Sequence, residues 1–218
     1  MAIIPADEKV FMVDKRTNTT YGGSQALQDM QQWYTMQDVA DSVQPYKVFT
    51  ALLTQSGEDS PANVNYDNQV PLVIGQSYFI DDNDPLVDGG TDFTNVGAPS
   101  NNVGTYFIAT GTTPIWGTAN GFLIYNEGAP VATVLENTIG NIWFNYQAQG
   151  EYQAVSTNSF PELKTYLYIQ PASTPDEGSI TTYYSGVSSI QITTLTTPPY
   201  TVIDGKLYNT SFEIRVYN

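Results

Sequence analysis

The segment that decides the fold class is Gly128–Val155, which reads GAPVATVLENTIGNIWFNYQAQGEYQAV. Alternate residues of a strand face opposite sides of a sheet, so side chains two positions apart belong together. Two such sets occur here: Val131, Thr133 and Leu135, then Ile142, Phe144 and Tyr146. Gln149-Gly150 separates two apolar runs, so residues 142–155 predict a hairpin. The segment therefore indicates β structure.

Trp143 falls on the strand face opposite to Phe144. We expect its ring to meet a second sheet or a second subunit. The same segment contains no His, Cys, Lys or Arg, so it lacks the usual groups for acid–base or nucleophilic chemistry. A packing role accounts for its composition.

Short strands joined by tight turns are predicted along the rest of the chain from residue 46, because aromatic and β-branched residues are frequent between Gly and Pro. The strands are expected at 46–55, 71–80, 104–111, 164–170, 179–197 and 211–218. Residues 114–126 predict a hairpin around Asn120-Gly121, and Asp204-Gly205 predicts a further turn.

The N-terminal region differs, because residues 24–43 carry the one good helix pattern of the sequence. Ser24 can cap this helix, and Pro45 ends the helical stretch. A short strand and a helix are too little to bury their own apolar surface. We therefore expect an interface formed by the large side chains of the helix, namely Met30, Trp33, Tyr34 and Met36.

These patterns predict a mainly β protein with a small N-terminal strand-plus-helix region. Residues 1–44 are expected to be an attachment region, and residues 45–218 a β-sandwich or jelly-roll-like body. A further option divides that body into two lobes, 45–127 and 128–218.

The composition excludes several classes of function. The chain has 7 basic and 22 acidic side chains among 218 residues, and its net charge of −15 repels nucleic acid. It has no Cys and no His, which removes disulfides, thiol nucleophiles, imidazole metal sites and the Ser-His-Asp arrangement. We see no signal peptide and no membrane span.

Two groups of carboxylates are candidates for chemistry. The stretch DDNDPLVDGGTD (81–92) offers oxygen ligands for Ca²⁺ from Asp81, Asp82, Asp84, Asp88 and Asp92. Its spacing does not match an EF-hand, and a solvated loop is the simpler interpretation. Paired carboxylates could also cleave a glycosidic bond, and the acidic residues near aromatics are Glu127, Glu136, Glu151 and Glu162. Structural positions in the core and at the edges of sheets explain these four glutamates better than catalysis does. We therefore expect no catalytic residue, no cofactor and no metal.

Three blocks of the sequence resemble a known module. They are QDMQQWYTMQDVADSVQPYKVFTALLTQSG (28–57), PLVIGQSYFIDDNDPLVDGGTDFTNVGAPSNNVGTYFIATGTTPIWG (71–117), and Gly128–Val155 together with the terminal EIRVYN (213–218). Together they are similar to virion structural proteins of tailed bacteriophages of Bacteroidota, including crAss-like phages. Chains of that kind are fibre, appendage or decoration proteins.

This resemblance implies a non-enzymatic structural protein of the phage particle, on head or tail, and localisation in the virion after synthesis in the host cytoplasm. Residues 1–44 would attach to the particle and the β body would be exposed. The implied partners are other virion proteins and further copies of this chain, with a trimer favoured. The alternative is a tip protein that binds or cleaves a host-surface carbohydrate, which would make a host glycan a partner.

Overall fold

The computed structural model describes residues 45–55, 59–83, 90–117, 121–170 and 178–218. These residues are mainly β, which confirms the predicted fold class. The predicted N-terminal helix and its interface residues (Met30, Trp33, Tyr34 and Met36) lie outside the described residues.

Twelve strands lie in the described part of the chain. They are β1 (Tyr46–Thr54), β2 (Pro61–Asn65), β3 (Ser77–Asp82), β4 (Tyr106–Ile108), β5 (Phe122–Asn126), β6 (Val131–Asn137), β7 (Ile142–Ala148), β8 (Glu151–Ser156), β9 (Thr165–Gln170), β10 (Gly178–Gly186), β11 (Ser189–Thr196) and β12 (Thr210–Tyr217). A single 3-10 turn, Thr94–Val96, lies between β3 and β4.

The strands form three antiparallel sheets of four strands each. Sheet 1 has the order β6-β1-β12-β9, sheet 2 the order β10-β11-β8-β7, and sheet 3 the order β2-β5-β3-β4. The C-terminal strand β12 lies between β1 and β9 at the centre of sheet 1. This strand confirms the one predicted at residues 211–218.

Sheets 1 and 2 pack face to face as a β-sandwich around one hydrophobic core. Phe49 of β1, Phe144 of β7 and Phe212 of β12 meet at its centre, with ring centroids 6.1 to 6.4 Å apart. All three rings are fully buried. Each belongs to the set of alternate residues in its strand that faces the core, so the period of two directs its ring inward.

Sheet 3 covers a second, smaller core together with residues 90–117. Phe107 of β4 lies between Tyr78 of β3 and Phe93, at centroid distances of 5.9 and 6.5 Å. Leu123 of β5 is fully buried in the same cluster. β1, from the first of the two predicted lobes, pairs in sheet 1 with β6 and β12 from the second.

Trp143 confirms the expectation that its ring would meet a second sheet. The indole of Trp143, on β7 of sheet 2, stacks on the Tyr106 ring of sheet 3 with centroids 4.9 Å apart and planes 11° apart. The predicted hairpin is also present, because β7 pairs with β8 and Gly150 takes the left-handed backbone conformation (φ 68°) at the turn.

Three local expectations were wrong. Residues 71–76 do not join the strand that begins at Ser77, because the chain turns at Ile74-Gly75. Ile115 bridges to Asp92, while β5 pairs with β2 and β3, so residues 114–126 are not a hairpin. In β6, an edge strand, Ala132 lies opposite buried Leu53 and faces the core, so the predicted set of Val131, Thr133 and Leu135 is not the core face; Leu135 is 64% exposed at a shift in the register of β6 on β1.

Candidate functional site

An open groove lies between β7 of sheet 2 and the face of sheet 3 that points toward it. Its volume is about 330 Å³, at the lower end of the range of roughly 300–1,000 Å³ that small-ligand sites span. We call it the aromatic groove. It is lined by Pro61, Ser77, Tyr78, Phe79, Tyr106, Ile124, Tyr125, Asn126, Phe144, Asn145, Tyr146 and Gln147.

Two contacts hold the walls of the aromatic groove in place. The backbone N–H of Phe144 donates to Ser77 Oγ at 2.8 Å, and this joins β7 directly to β3. The stack of Trp143 on Tyr106 joins β7 to β4. Trp143 is 8% exposed and its Nε1 has no acceptor among the described residues, so ring packing is what holds this wall.

Half-buried aromatic rings line the floor. Phe79 packs on Tyr106 with centroids 4.6 Å apart, and Tyr125 packs on buried Tyr78 at 5.2 Å. Tyr146 donates from its hydroxyl to Asp204 at 3.0 Å. The rings are fixed by these neighbours, so the groove presents preformed aromatic surface.

Amide side chains occupy the rim. Asn145 and Gln147 alternate on β7, and neither side chain has a hydrogen-bond partner among the described residues. Asn126 is committed instead, because its Nδ2 donates to Asp59 at 2.6 Å and its Oδ1 accepts from Gly128 N–H at 2.7 Å. The rim therefore offers two amides that are ready to bind a polar ligand.

The amide at Asn145 begins a line of amides across sheet 2. Asn145 of β7 pairs with Gln153 of β8, and Gln153 pairs with Gln191 of β11. The Nε2 of Gln153 donates to Gln191 Oε1 at 3.2 Å. We call these three residues the amide row. Asn145 and Gln153 are partly exposed, whereas Gln191 at the far end of the row is buried.

The described lining of the aromatic groove is poorly suited to acid–base chemistry. No Asp, Glu, Lys or Arg is among its described lining residues. Burial raises the pKa of Tyr78 to about 12, and burial together with Glu127 raises the pKa of Tyr125. These two hydroxyls stay protonated near neutral pH, so they suit hydrogen bonding better than proton abstraction.

The four glutamates named from the sequence lie on separate elements. Glu136 is exposed on β6 of sheet 1, and Glu151 begins β8 of sheet 2. Glu127 is exposed in the turn after β5, and Glu162 is exposed in the turn before β9. None of them lines the aromatic groove.

The acidic stretch is described only in part. Asp81 and Asp82 are exposed at the end of β3, while Asp84 and Asp88 lie outside the described residues. The Asp92 carboxylate already accepts hydrogen bonds from its neighbours. Its Oδ1 accepts from Thr94 N–H at 2.8 Å, Thr94 Oγ1 at 2.6 Å and Asn101 Nδ2 at 3.1 Å. Across residues 45–55, 59–83, 90–117, 121–170 and 178–218, no three acidic side chains are grouped to hold a metal ion.

Asp82 also lines a smaller recess of about 210 Å³ that sequence reasoning did not identify. Asp67 and Tyr66 share its wall, next to β2 and β5. Two carboxylates in one recess could repel each other or share a cation. The described residues there supply no third acidic ligand.

The hydrogen bonds on Asp92 lead to a prediction about pH. Donation from the Thr94 hydroxyl, the Thr94 backbone and Asn101 lowers the pKa of Asp92 below 3.8. A carboxylate whose pKa is lowered by folding stabilises the protein above the unfolded value, and this contribution is lost as pH falls through the folded value. In Asp92→Asn, the loss of melting temperature relative to wild type should therefore shrink as pH falls below about 4.

Thermal melts of both proteins between about pH 6 and about pH 2 measure this difference. Asp81→Asn is the matched control, because it removes an exposed carboxylate of the same stretch and the same charge. A gap between wild type and Asp92→Asn that stays constant over this range would contradict the role given to the three hydrogen bonds.

The sequence analysis did not identify the aromatic groove, although the sequence carries one indication of it. The strings Tyr78-Phe79-Ile80 and Tyr106-Phe107-Ile108 are alike in the sequence. In the fold they are paired strands of sheet 3, with Tyr78 opposite Phe107 and Phe79 opposite Tyr106. Their alternate residues face the groove and the smaller core.

The described part of the chain holds no helix long and apolar enough to cross a membrane. The candidate site of the protein is the aromatic groove, whose described lining consists of aromatic rings, amides and other uncharged side chains. No protein-family model, no curated protein and no solved structure matches the chain.

Proposed function

We propose that the chain is a non-enzymatic structural component of a tailed phage particle, as a fibre, appendage or decoration protein. Residues 1–44 attach it to the virion and the β body is exposed. The resemblance of the three sequence blocks supports this role. The observation that carries it is a tyrosine-bearing sheet face that is exposed among the described residues.

That surface is the outer face of sheet 1. Tyr166 and Tyr168 of β9 are 49% and 41% exposed, and they pair with Arg215 and Glu213 of β12. Tyr217, also 41% exposed, packs on Tyr46 at a centroid distance of 5.5 Å. Tyrosine is enriched at protein interfaces, and grouped exposed rings mark contact surfaces. This face supports assembly with further copies of the chain or with other virion proteins.

Arg215 and Glu213, two charges at the centre of this face, are paired with each other. Arg215 Nε lies 2.5 Å from Glu213 Oε1, and the Arg215 guanidinium lies 4.9 Å from the centre of the Tyr46 ring. A partner would therefore meet rings around an internally neutralised pair. Such a pair suits a lasting structural contact, because its two charges already neutralise each other. Glu136 of β6 is a further exposed carboxylate on this face.

Purified particles provide the test of location. We expect the chain in their protein inventory and in a density map that holds a three-sheet body of this size. Tyr166→Ser combined with Tyr168→Ser should reduce incorporation while leaving the melting temperature of the isolated protein within a few degrees. The control is Tyr200→Ser, since Tyr200 is an exposed tyrosine outside the strands. Particles that lack the chain altogether would refute the proposal.

The attachment role of residues 1–44 has its own test in Trp33→Ala. An interface anchor should leave the melting curve of the isolated protein nearly unchanged and abolish assembly or incorporation. A residue that packs on its own body should instead cost a few kcal/mol of stability. An unaltered melt with normal incorporation would contradict both roles.

The carbohydrate-cleaving alternative has less support than the binding one. A glycosidase needs two carboxyl groups across the scissile bond, and the four named glutamates are spread over separate elements away from the aromatic groove. We expect no cleavage of host capsular or cell-wall glycans. Cleavage that disappears when one of Glu127, Glu136, Glu151 or Glu162 becomes Gln would overturn this expectation.

A further inference from the structure

We propose that the aromatic groove, with the amides at its rim, binds a neutral saccharide chain. This goes beyond the proposed function, because the described residues of one chain form the groove and its binding does not depend on where the particle carries the protein. The inference rests on three properties of the groove: ring surface, free amides and the lack of charge.

Ring surface is the first property. A pyranose ring has a face of C–H groups that carry slight positive charge, and the face of an aromatic ring is slightly negative. Tyr106 and Tyr125 line the groove as half-buried rings. Tyr125 packs on buried Tyr78, and Tyr106 is held by Phe79 and by Trp143 of the facing strand β7. Because these rings are already ordered, little entropy is lost when a sugar packs against them.

Free amides are the second property. Each amide offers two N–H donors and an oxygen acceptor, and sugar hydroxyls both donate and accept. Asn145 and Gln147 stand at the rim of the groove without partners among the described residues. Gln153 lies beside Asn145 on the next strand, whereas Gln191 is buried and already accepts from Gln153. The amides available to a sugar at the groove are therefore those of Asn145 and Gln147.

Charge decides the class of saccharide. The described lining of the groove has no charged side chain, and the whole chain carries a net charge of −15. A uronic acid or sialic acid would enter without a cationic partner and against the field of the protein. A neutral hexose or N-acetylhexosamine chain meets neither obstacle.

A proline-rich peptide is the competing ligand for a tyrosine-lined groove. Proline has no backbone N–H, so such a peptide offers mainly carbonyl acceptors. It could satisfy the N–H groups of Asn145 and Gln147 but would leave their oxygens unpaired. Hydroxyls satisfy both kinds of atom, and this favours the saccharide.

The experiment uses the full chain and named probes. Affinity electrophoresis through gels that contain mannan, dextran, laminarin, xyloglucan or glycol chitin screens neutral polymers, and polygalacturonate serves as the acidic one. Calorimetry with a hexasaccharide of the polymer that retards the chain most gives Kd, and a proline decapeptide is titrated in parallel. We expect retardation by at least one neutral polymer and none by polygalacturonate.

Variants then locate the site. Asn145→Ala with Gln147→Ala should raise Kd about tenfold, as expected for two hydrogen bonds. Tyr125→Leu keeps apolar volume without the flat ring and should weaken binding similarly, with a melting curve to confirm folding. Gln149→Ala at the β7–β8 turn is the matched amide control, and Tyr166→Ala on sheet 1 is the matched ring control. Both should bind as wild type does.

Four results would overturn the inference. They are no binding of any neutral polymer, tighter binding of polygalacturonate, binding of the proline peptide in place of the saccharide, and a Kd unchanged in both the amide and the ring variants. Because these measurements use the isolated chain, their failure is separate from a failure to find the chain in particles.

Discussion

Replacing Phe212 with alanine is expected to lower the free energy of unfolding by about 4 kcal/mol. Phe212 is fully buried on β12, the central strand of sheet 1. Its ring meets Phe49 and Phe144 edge-on, at centroid distances of 6.4 and 6.1 Å. Alanine would leave a cavity between the two sheets of the sandwich, because paired strands on both sides prevent β12 from collapsing into it.

Urea denaturation followed by tryptophan fluorescence measures this loss. A chain of this size should also melt roughly 8–16 °C lower, at about 2–4 °C per kcal/mol. Phe212→Leu keeps most of the side-chain volume and should lose less than half the stability that Phe212→Ala loses. It therefore still measures the contribution of this ring if the alanine variant does not fold. Tyr208→Ala, an exposed ring four residues earlier, is the control and should change stability by about 0.5 kcal/mol or less. A loss of less than about 1 kcal/mol in Phe212→Ala would mean that sheets 1 and 2 do not share this core.

Replacing Asp204 with alanine is expected to cost about 3 kcal/mol, although Asp204 lies outside every strand. Its carboxylate accepts three hydrogen bonds: from Tyr152 Oη at 2.8 Å, Tyr146 Oη at 3.0 Å and Gly150 N–H at 2.7 Å. These donors belong to the β7–β8 hairpin, so the carboxylate ties the hairpin to the turn before β12. Burial and the bond to Asp204 both raise the pKa of Tyr152.

The physical reason for so large an effect is the burial of the donors. The Tyr152 side chain is fully buried, so its hydroxyl would lose its acceptor without gaining water. The Gly150 N–H would lose its acceptor too, and the glycine cannot move aside. A Cβ built at Gly150 would lie 2.5 Å from the backbone nitrogen of Ile203, which shows how closely the two segments approach.

A double-mutant cycle checks this account. Tyr152→Phe removes the hydroxyl together with its need for an acceptor, so it should cost less than Asp204→Ala, and the two changes combined should cost less than their sum. Asp59→Ala is the control for loss of a surface carboxylate, since Asp59 is exposed and its Oδ1 accepts from the Asn126 amide. Additive effects of Asp204→Ala and Tyr152→Phe would contradict a shared hydrogen bond.

Local patterns were reliable where strands follow each other through a tight turn. The β7–β8 hairpin was predicted from Gln149-Gly150 because strand alternation and turn chemistry are both encoded within fourteen neighbouring residues, 142–155. β12 was predicted for the same reason, from its alternation. The prediction of a second partner for Trp143 also used local information, since face assignment needs only the period of the strand.

Those local patterns could not predict which strands pair when the strands are distant in the sequence. β2, with the sequence PANVN, has one large apolar residue, and it is a strand because Val64 pairs with Leu123 of β5. Leu135 continues the alternation of Val131 and Thr133 and is nevertheless exposed, because Ala132 faces the core instead and the register of β6 on β1 shifts at Leu135. In both places the position of another strand decided the outcome, and no turn nearby encodes that position.

By itself, the sequence determined the β class, the two faces of β7, the β7–β8 hairpin and the lack of His and Cys chemistry, because each depends on residue type or on a period of two. Only the tertiary structure decided that there are three described sheets and that β7 of one lies against β3 and β4 of another. The groove exists because Phe144 N–H meets Ser77 Oγ across 67 residues of chain. A contact at that separation depends on how whole sheets pack, and sheet packing is a property of all the buried surfaces together rather than of any single segment.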